Sequence, residues 1–228
     1  MADNPLLPQD RLREIHALMQ RIRTIDRRRS NAAREALLAA TLIHLSAGDL
    51  VSSVADDRAI RELAPASTAG EEAHDVPQSL RIPLCAGAAR GMQTAGTDRL
   101  AVAFAEAGAP ENGWADALRW AHRDRLPFLL IVADDGRNAR RKRSARTAAP
   151  LLWPELARLG RSLHLPHFPV DGEDAVAVYR VMQETSARAR SGGGPSVIWA
   201  MLSAERLSAR QQPMTRLEAY MVARKIRL

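Results

Sequence analysis

An α/β fold, a parallel sheet with helices packed on both faces, is what this sequence predicts, and three observations carry the expectation. Short, unbroken apolar runs recur at 100–105 (LAVAFA), 128–133 (FLLIVA), 167–170 and 197–202 (VIWAML), in the manner of strands buried on both faces. Amphipathic stretches of helical period separate them. Strands alternating with helices in this way close as right-handed βαβ crossovers, which generate a parallel sheet. The length, 228 residues, suffices for one large or two small domains with a full-sized core.

In chain order, residues 1–55 read as an N-terminal helical segment. Leu12, Ile15, Leu18, Met19, Ile22 and Ile25 recur at three- and four-residue steps, with Asp10 placed as an N-cap. A second apolar run, Ala36 to Leu45, closes at Gly48. Residues 56–79 turn polar and rich in Ala, Pro, Ser, Thr and Glu (APASTAGEEAHDVPQ), as expected of a loop or connector. Residues 80–228 form the α/β segment, with helices expected at 84–94, 113–123, 153–161 and 173–190 between the strands. Gly192-Gly193-Gly194-Pro195 follows the last of these as its C-cap and linker.

Composition narrows the function classes. With 46% hydrophobic residues, 26% charged residues and one cysteine, the chain reads as a soluble cytoplasmic protein in which disulfides play no part. No run approaches the roughly 20 apolar residues of a membrane helix, and MADNPLLPQDRLRE lacks the apolar centre of a secretory signal. The net charge of +7 allows polyanion binding. The basic residues are nearly all Arg, aromatics make up 4%, and no aromatic platforms interleave with the charge, so a solvated basic surface is the better reading.

In open parallel sheets, ligands sit beyond the carboxyl ends of the strands, here the loops after Ala105, Ala133 and Val170. The first reads AEAGAPENG and the second ADDGRNARRKRSAR. Glu106, Asp134 and Asp135 are the candidate metal ligands, because Mg²⁺ takes hard oxygen donors and bridges readily to phosphate. Ordinary loop acids are the competing reading. Arg137, Arg140, Arg141, Lys142, Arg143 and Arg146 could clamp phosphate, against a solvated basic loop. Cys85 sits in an apolar helix and reads as a small core residue. His44, His74, His122, His164 and His167 show no metal spacing, and Trp114, Trp120, Trp153 and Trp199 read as packing residues. Neither a Gly-x-Ser-x-Gly elbow nor a Gly-x-x-x-x-Gly-Lys loop occurs.

The stretch from Ile82 to Gly136, IPLCAGAARGMQTAGTDRLAVAFAEAGAPENGWADALRWAHRDRLPFLLIVADDG, resembles the centre of the alpha subunit of thiamine diphosphate-dependent 2-oxo acid dehydrogenases, the decarboxylating first component. MQRIRTIDRR (19–28) resembles that family's first helix and LIHLSAGDL (42–50) its His-Leu-x-x-Gly turn. VDGEDAVAVYRVMQETSARARSGGGPSVIWAML (170–202) resembles its Val-Asp-Gly-x-Asp helix and Gly-Pro strand, and RLEAYM (216–221) its closing helix.

The resemblance implies a thiamine diphosphate-binding fold and oxidative decarboxylation of a 2-oxo acid. It also implies thiamine diphosphate with Mg²⁺ as cofactors, and assembly with itself or with a beta-type subunit that supplies the activating acid. Glu106, Gly108, Asp134, Asp135 and Gly136 fall where the family binds its cofactor, with Glu106, Asp134 and Asp135 at the metal. The sequence departs from the pattern there. The family's Gly-Asp-Gly is Ala105-Glu106-Ala107 counted back from ADALRW, or Glu106-Ala107-Gly108 counted forward from LAVAF. Its Asn-Asn is Asp134-Asp135. The first register leaves residues 108–133 before Asp134, which suits the family's spacing, and is preferred. The family's Tyr-Arg-x-His, Gly-Gly-Ser-Met-His and Gly-His-x-x-x-Asp segments find no counterpart. A divergent alpha-subunit-like protein with lost or altered cofactor binding is therefore the leading expectation. A non-catalytic scaffold or regulatory subunit on the same fold is the alternative, and a basic polyanion-binding protein ranks third.

Overall fold

The computed structural model describes residues 7–25, 34–53, 58–65, 80–108, 113–136, 151–203 and 207–227. Helices α1 (Gln9–Ile25) and α2 (Arg34–Leu42) lead into β1 (Leu50–Ser53), α3 (Arg58–Leu63) and α4 (Arg81–Thr94). Then follow β2 (Ala101–Glu106), α5 (Trp114–Arg123), β3 (Phe128–Asp134), α6 (Trp153–Leu163), β4 (His167–Asp171), α7 (Ala175–Arg190) and β5 (Ser196–Met201), and α8 (Pro213–Ala223) closes the order. The strands form one parallel sheet in the order β1-β2-β3-β5-β4.

Alternation along the strands builds two apolar layers. Ala101, Ala103 and Ala105 of β2, Phe128, Leu130 and Val132 of β3, and Val197 and Trp199 of β5 pack against α4, α5 and α6. The intervening Val102, Phe104, Leu129, Ile131, Ala133, Ile198 and Ala200 pack against α1, α2, α3, α7 and α8. Right-handed crossovers explain the division. The path from β1 through β3 to β4 runs one way across the sheet and keeps α4, α5 and α6 on one face, while the short α3 packs on the other against α1 and α2. The step from β4 back to β5 reverses and carries α7 to the other. The chain therefore leaves β3 toward one face and its neighbour β5 toward the other, which opens a crevice at their carboxyl ends.

The four expected strands and the helices between them are present with boundaries shifted by a few residues. Three readings are corrected. Asp10 lies inside the first turn of α1 and takes Arg13 at 3.0 Å instead of capping the helix. Residues 58–63, read as connector, form α3, held by buried Ala59 and Ile60. The Leu50–Ser53 stretch, read as part of the N-terminal helical segment 1–55, is instead β1 at the sheet edge. Residues 56, 57 and 66–79 of the connector lie outside the described residues. After α7, the Gly192 N–H reaches Ala189 O at 3.2 Å and the Gly193 N–H reaches Arg188 O at 2.8 Å. This is a Schellman closure that needs Gly192 at φ 77°. Among the described residues no helix is long and apolar enough to cross a membrane.

Candidate functional site

The crevice between the ends of β3 and β5 is where this topology places a ligand. Glu106 ends β2 opposite Ala133, and Asp134 ends β3 opposite Met201. Residues paired in a parallel ladder share a face, and successive residues alternate. Glu106 therefore shares the face of Ala133 and α2, whereas Asp134 shares the face of Val132 and Trp199. The contacts agree. Glu106 Oε1 lies 3.5 Å from Arg34 Nη1, at the start of α2. Asp134 Oδ2 accepts from the Trp199 indole N–H at 3.0 Å, and its Oδ1 accepts from the Gly136 N–H at 2.9 Å.

The turns around these carboxylates are closed by backbone. Gly136 has φ 68°, so the Asp134 side chain folds back on a turn that favours glycine. Gly108 has φ 77° and donates to Leu151 O at 2.8 Å, while Ala107 donates to Ala133 O at 2.9 Å. Asp135 is half-buried between Asp134 and Gly136. Glu106, Gly108, Asp134, Asp135 and Gly136 thus lie at the carboxyl edge of the sheet, but Glu106 and Asp134 leave it on opposite faces. Among the described residues no group of three or more His, Cys, Asp or Glu side chains is gathered to hold a metal. As placed, these carboxylates do not fit the shared metal and diphosphate site that the resemblance implies. The basic run from Arg137 to Arg146 and His74 lie outside the described residues.

Beside the crevice, the loop after β4 supplies residues that sequence reading did not single out. The Asp171 carboxylate accepts from the Glu173 N–H at 3.0 Å, and buried Glu173 accepts from the Ser203 N–H at 2.6 Å. Arg216 of α8 donates to Asp171 at 2.8 Å and to Asp174 at 3.4 Å, and its pKa is raised chiefly by the Asp171 bond. A groove of ≈ 300 Å³ opens between Asp174, Arg180, Arg216 and Tyr220. The Val-Asp-Gly-x-Asp pattern marked this loop, but its partner on α8 is far off in sequence. Cys85 is buried and its thiol pKa is pushed up by burial, as suits a core residue.

Comparison with known proteins agrees with this architecture. The model of the family described as dehydrogenase E1 component matches residues 73–202. The chain is 30% identical over 114 residues to the pyruvate dehydrogenase E1 component subunit alpha of Staphylococcus epidermidis, covering 50% of this chain and 30% of that one. It is 35% identical over 116 residues to the 3-methyl-2-oxobutanoate dehydrogenase subunit alpha of Mycobacterium tuberculosis, with the same coverages of 50% and 30%. The match therefore spans under a third of these relatives' length. Benzoylformate decarboxylase from Polynucleobacter necessarius superposes with a TM-score of 0.52 at 12% identity, over 76% of this chain and 33% of that one, and shares the fold. Because the family's pattern runs from the segment before α4 to the end of β5, more than half of the molecule, the chain belongs to the dehydrogenase E1 component family.

Proposed function

We propose that the chain is a divergent, alpha-subunit-like protein of the 2-oxo acid dehydrogenase type, working in an oligomer with itself or with a beta-type subunit. The observation that carries this reading is the family match over residues 73–202, which takes in β2, β3, β4 and β5 and the crevice between them. Relatives named as alpha subunits of pyruvate and 3-methyl-2-oxobutanoate dehydrogenases support it. Oxidative decarboxylation of a 2-oxo acid is the reaction this reading implies, with the beta-type partner supplying the activating acid. Thiamine diphosphate is the implied cofactor, and the cytoplasm is the compartment proposed for it.

A second reading, a non-catalytic scaffold or regulatory subunit on the same fold, is favoured by one specific observation. The two strand-end carboxylates point to opposite faces and each has a protein partner. Co-expression with a beta-type subunit separates the two. A complex that decarboxylates a 2-oxo acid on addition of thiamine diphosphate and Mg²⁺ supports the enzyme. A stable complex without turnover supports the scaffold, and a chain that assembles neither with a beta-type subunit nor with itself overturns the alpha-subunit reading.

A further inference from the structure

We propose that Asp134 is a positioning carboxylate, committed to locking β3 against β5 through Trp199, and that this strand end takes no divalent cation through it. The inference deepens the family reading above and rests on it for the pattern from which the chain departs.

Where the family carries an Asn, this chain carries Asp134, and the geometry supplies a reason. Trp199 is buried in the middle layer of the sheet, and its indole N–H can only donate, so it needs an acceptor. The exposed Gly136 N–H donates to the same carboxylate and closes the turn at the end of β3. A carboxylate meets both donors at once, one oxygen for each. An asparagine has a single acceptor oxygen, and its NH₂ would face one of the two N–H groups head-on. Trp199 and Asp134 therefore form a matched pair.

The surroundings hold the pair in place. The Trp199 ring lies 5.5 Å from Trp153, which in turn lies 5.9 Å from His167. His167 is fixed by its Nδ1 contact with Leu165 O at 2.8 Å, and it fills the space a side chain at Gly160 would need. Leu202 donates to Asp134 O at 2.8 Å, so both the backbone and the side chain of Asp134 tie β3 to β5. A cation drawing on Asp134 would compete with a buried indole for its acceptor. It would also find Glu106 on the other face beside Arg34.

Two measurements on the full chain test this. In the first, Mn²⁺ is titrated into the protein with and without thiamine diphosphate, and free Mn²⁺ is read by electron paramagnetic resonance. The free signal is expected to be undiminished at stoichiometric metal. Retention that is unaffected in D134A likewise supports the proposal, since the ion then sits elsewhere. Stoichiometric retention abolished in D134A overturns it. The second measurement is a double-mutant cycle of D134N, W199F and D134N/W199F, read by melting temperature and tryptophan emission. D134N is expected to lower the melting temperature by about 3–6 °C and to red-shift the emission. In the W199F background, where no indole N–H remains to be satisfied, most of that loss should vanish. Additive losses would overturn the pairing. Neither measurement requires a beta-type partner, so failure of this inference and failure of the alpha-subunit reading are told apart.

Discussion

His44 is half-buried against the Tyr179 ring at 4.5 Å, and its buried Nε2 has no hydrogen-bond partner. Burial, chiefly, lowers its pKa to about 4, and the charges of Arg11 and Arg190 push the same way. The unfolded chain, with an ordinary histidine near 6.5, binds a proton that the folded chain refuses until about pH 4. Stability is therefore full above about pH 6.5 and falls as the pH drops toward 4, by up to about 3 kcal/mol from this group. Glu35, whose pKa is raised by burial, works in the opposite sense in acid, so a difference between variants is the clean readout. Urea unfolding at pH 7 and pH 4.5 should show H44Q losing about 2 kcal/mol less on acidification than the parent chain. Equal losses would clear His44 of the effect. Asp49 is a second sensitive residue. It is 1% exposed and accepts from Leu100 N–H and Ser46 N–H, each at 2.8 Å, while the Arg190 guanidinium grips it with both Nη groups. Asp49→Asn removes one charge of a buried pair and should cost about 3–5 kcal/mol in chemical denaturation, far more than a surface pair would.

Individual helices carry their own predictions. Gly87 and Gly91 lie inside α4 with ordinary helical φ, and a Cβ at either would meet nothing within 4 Å. Both pay the glycine penalty with no contact inside the chain to justify it, so Gly87→Ala and Gly91→Ala should each stabilise the isolated chain by about 0.5–1 kcal/mol. Unchanged or lowered melting temperatures would count against a free face. At α7, the Asp174 carboxylate accepts from Val176 N–H at 2.9 Å and Ala177 N–H at 3.1 Å. Asp174→Ala should cost about 1 kcal/mol for the lost cap, slightly more with the Arg216 contact gone, as read by thermal melting. The sequence made α7 and the central strands legible because FLLIVA and VIWAML are apolar on both faces and the helical period between them is clean. It concealed β1, whose LVSS is short and half polar and becomes a strand only through pairing with β2. It concealed α3 for the same kind of reason, since its few apolar residues gain meaning only against α1 and α2. At the site, the positions of Glu106 and Asp134 at strand ends were legible. Their opposite faces were not, because a one-residue difference in register decides the face, and register is set by pairing Glu106 with Ala133.

Across the whole molecule, the two apolar layers share one sheet, and this sets how it should come apart. Phe104 of β2 belongs to one layer and Ala103 and Ala105, on either side of it, to the other; β3 and β5 divide their residues in the same way. Stripping one layer of helices would expose half of every central strand to water, at roughly 25 cal/mol for each Å² of apolar surface uncovered. We propose on this ground that residues 1–55 and 80–228 unfold as one cooperative unit. The chain supplies its own reporters. Its four tryptophans, Trp114, Trp120, Trp153 and Trp199, all lie in or against the layer with α4, α5 and α6. Its two tyrosines, Tyr179 and Tyr220, lie in or against the layer with α1, α2, α7 and α8. Tryptophan emission and second-derivative tyrosine absorbance, followed through the same urea titration, should give coincident midpoints and equal slopes. A tyrosine transition at lower urea would show that the α1, α2, α7 and α8 layer opens first, as a separate unit of local stability. The family-matched strands would then stand as a core able to survive the loss of its N-terminal helices.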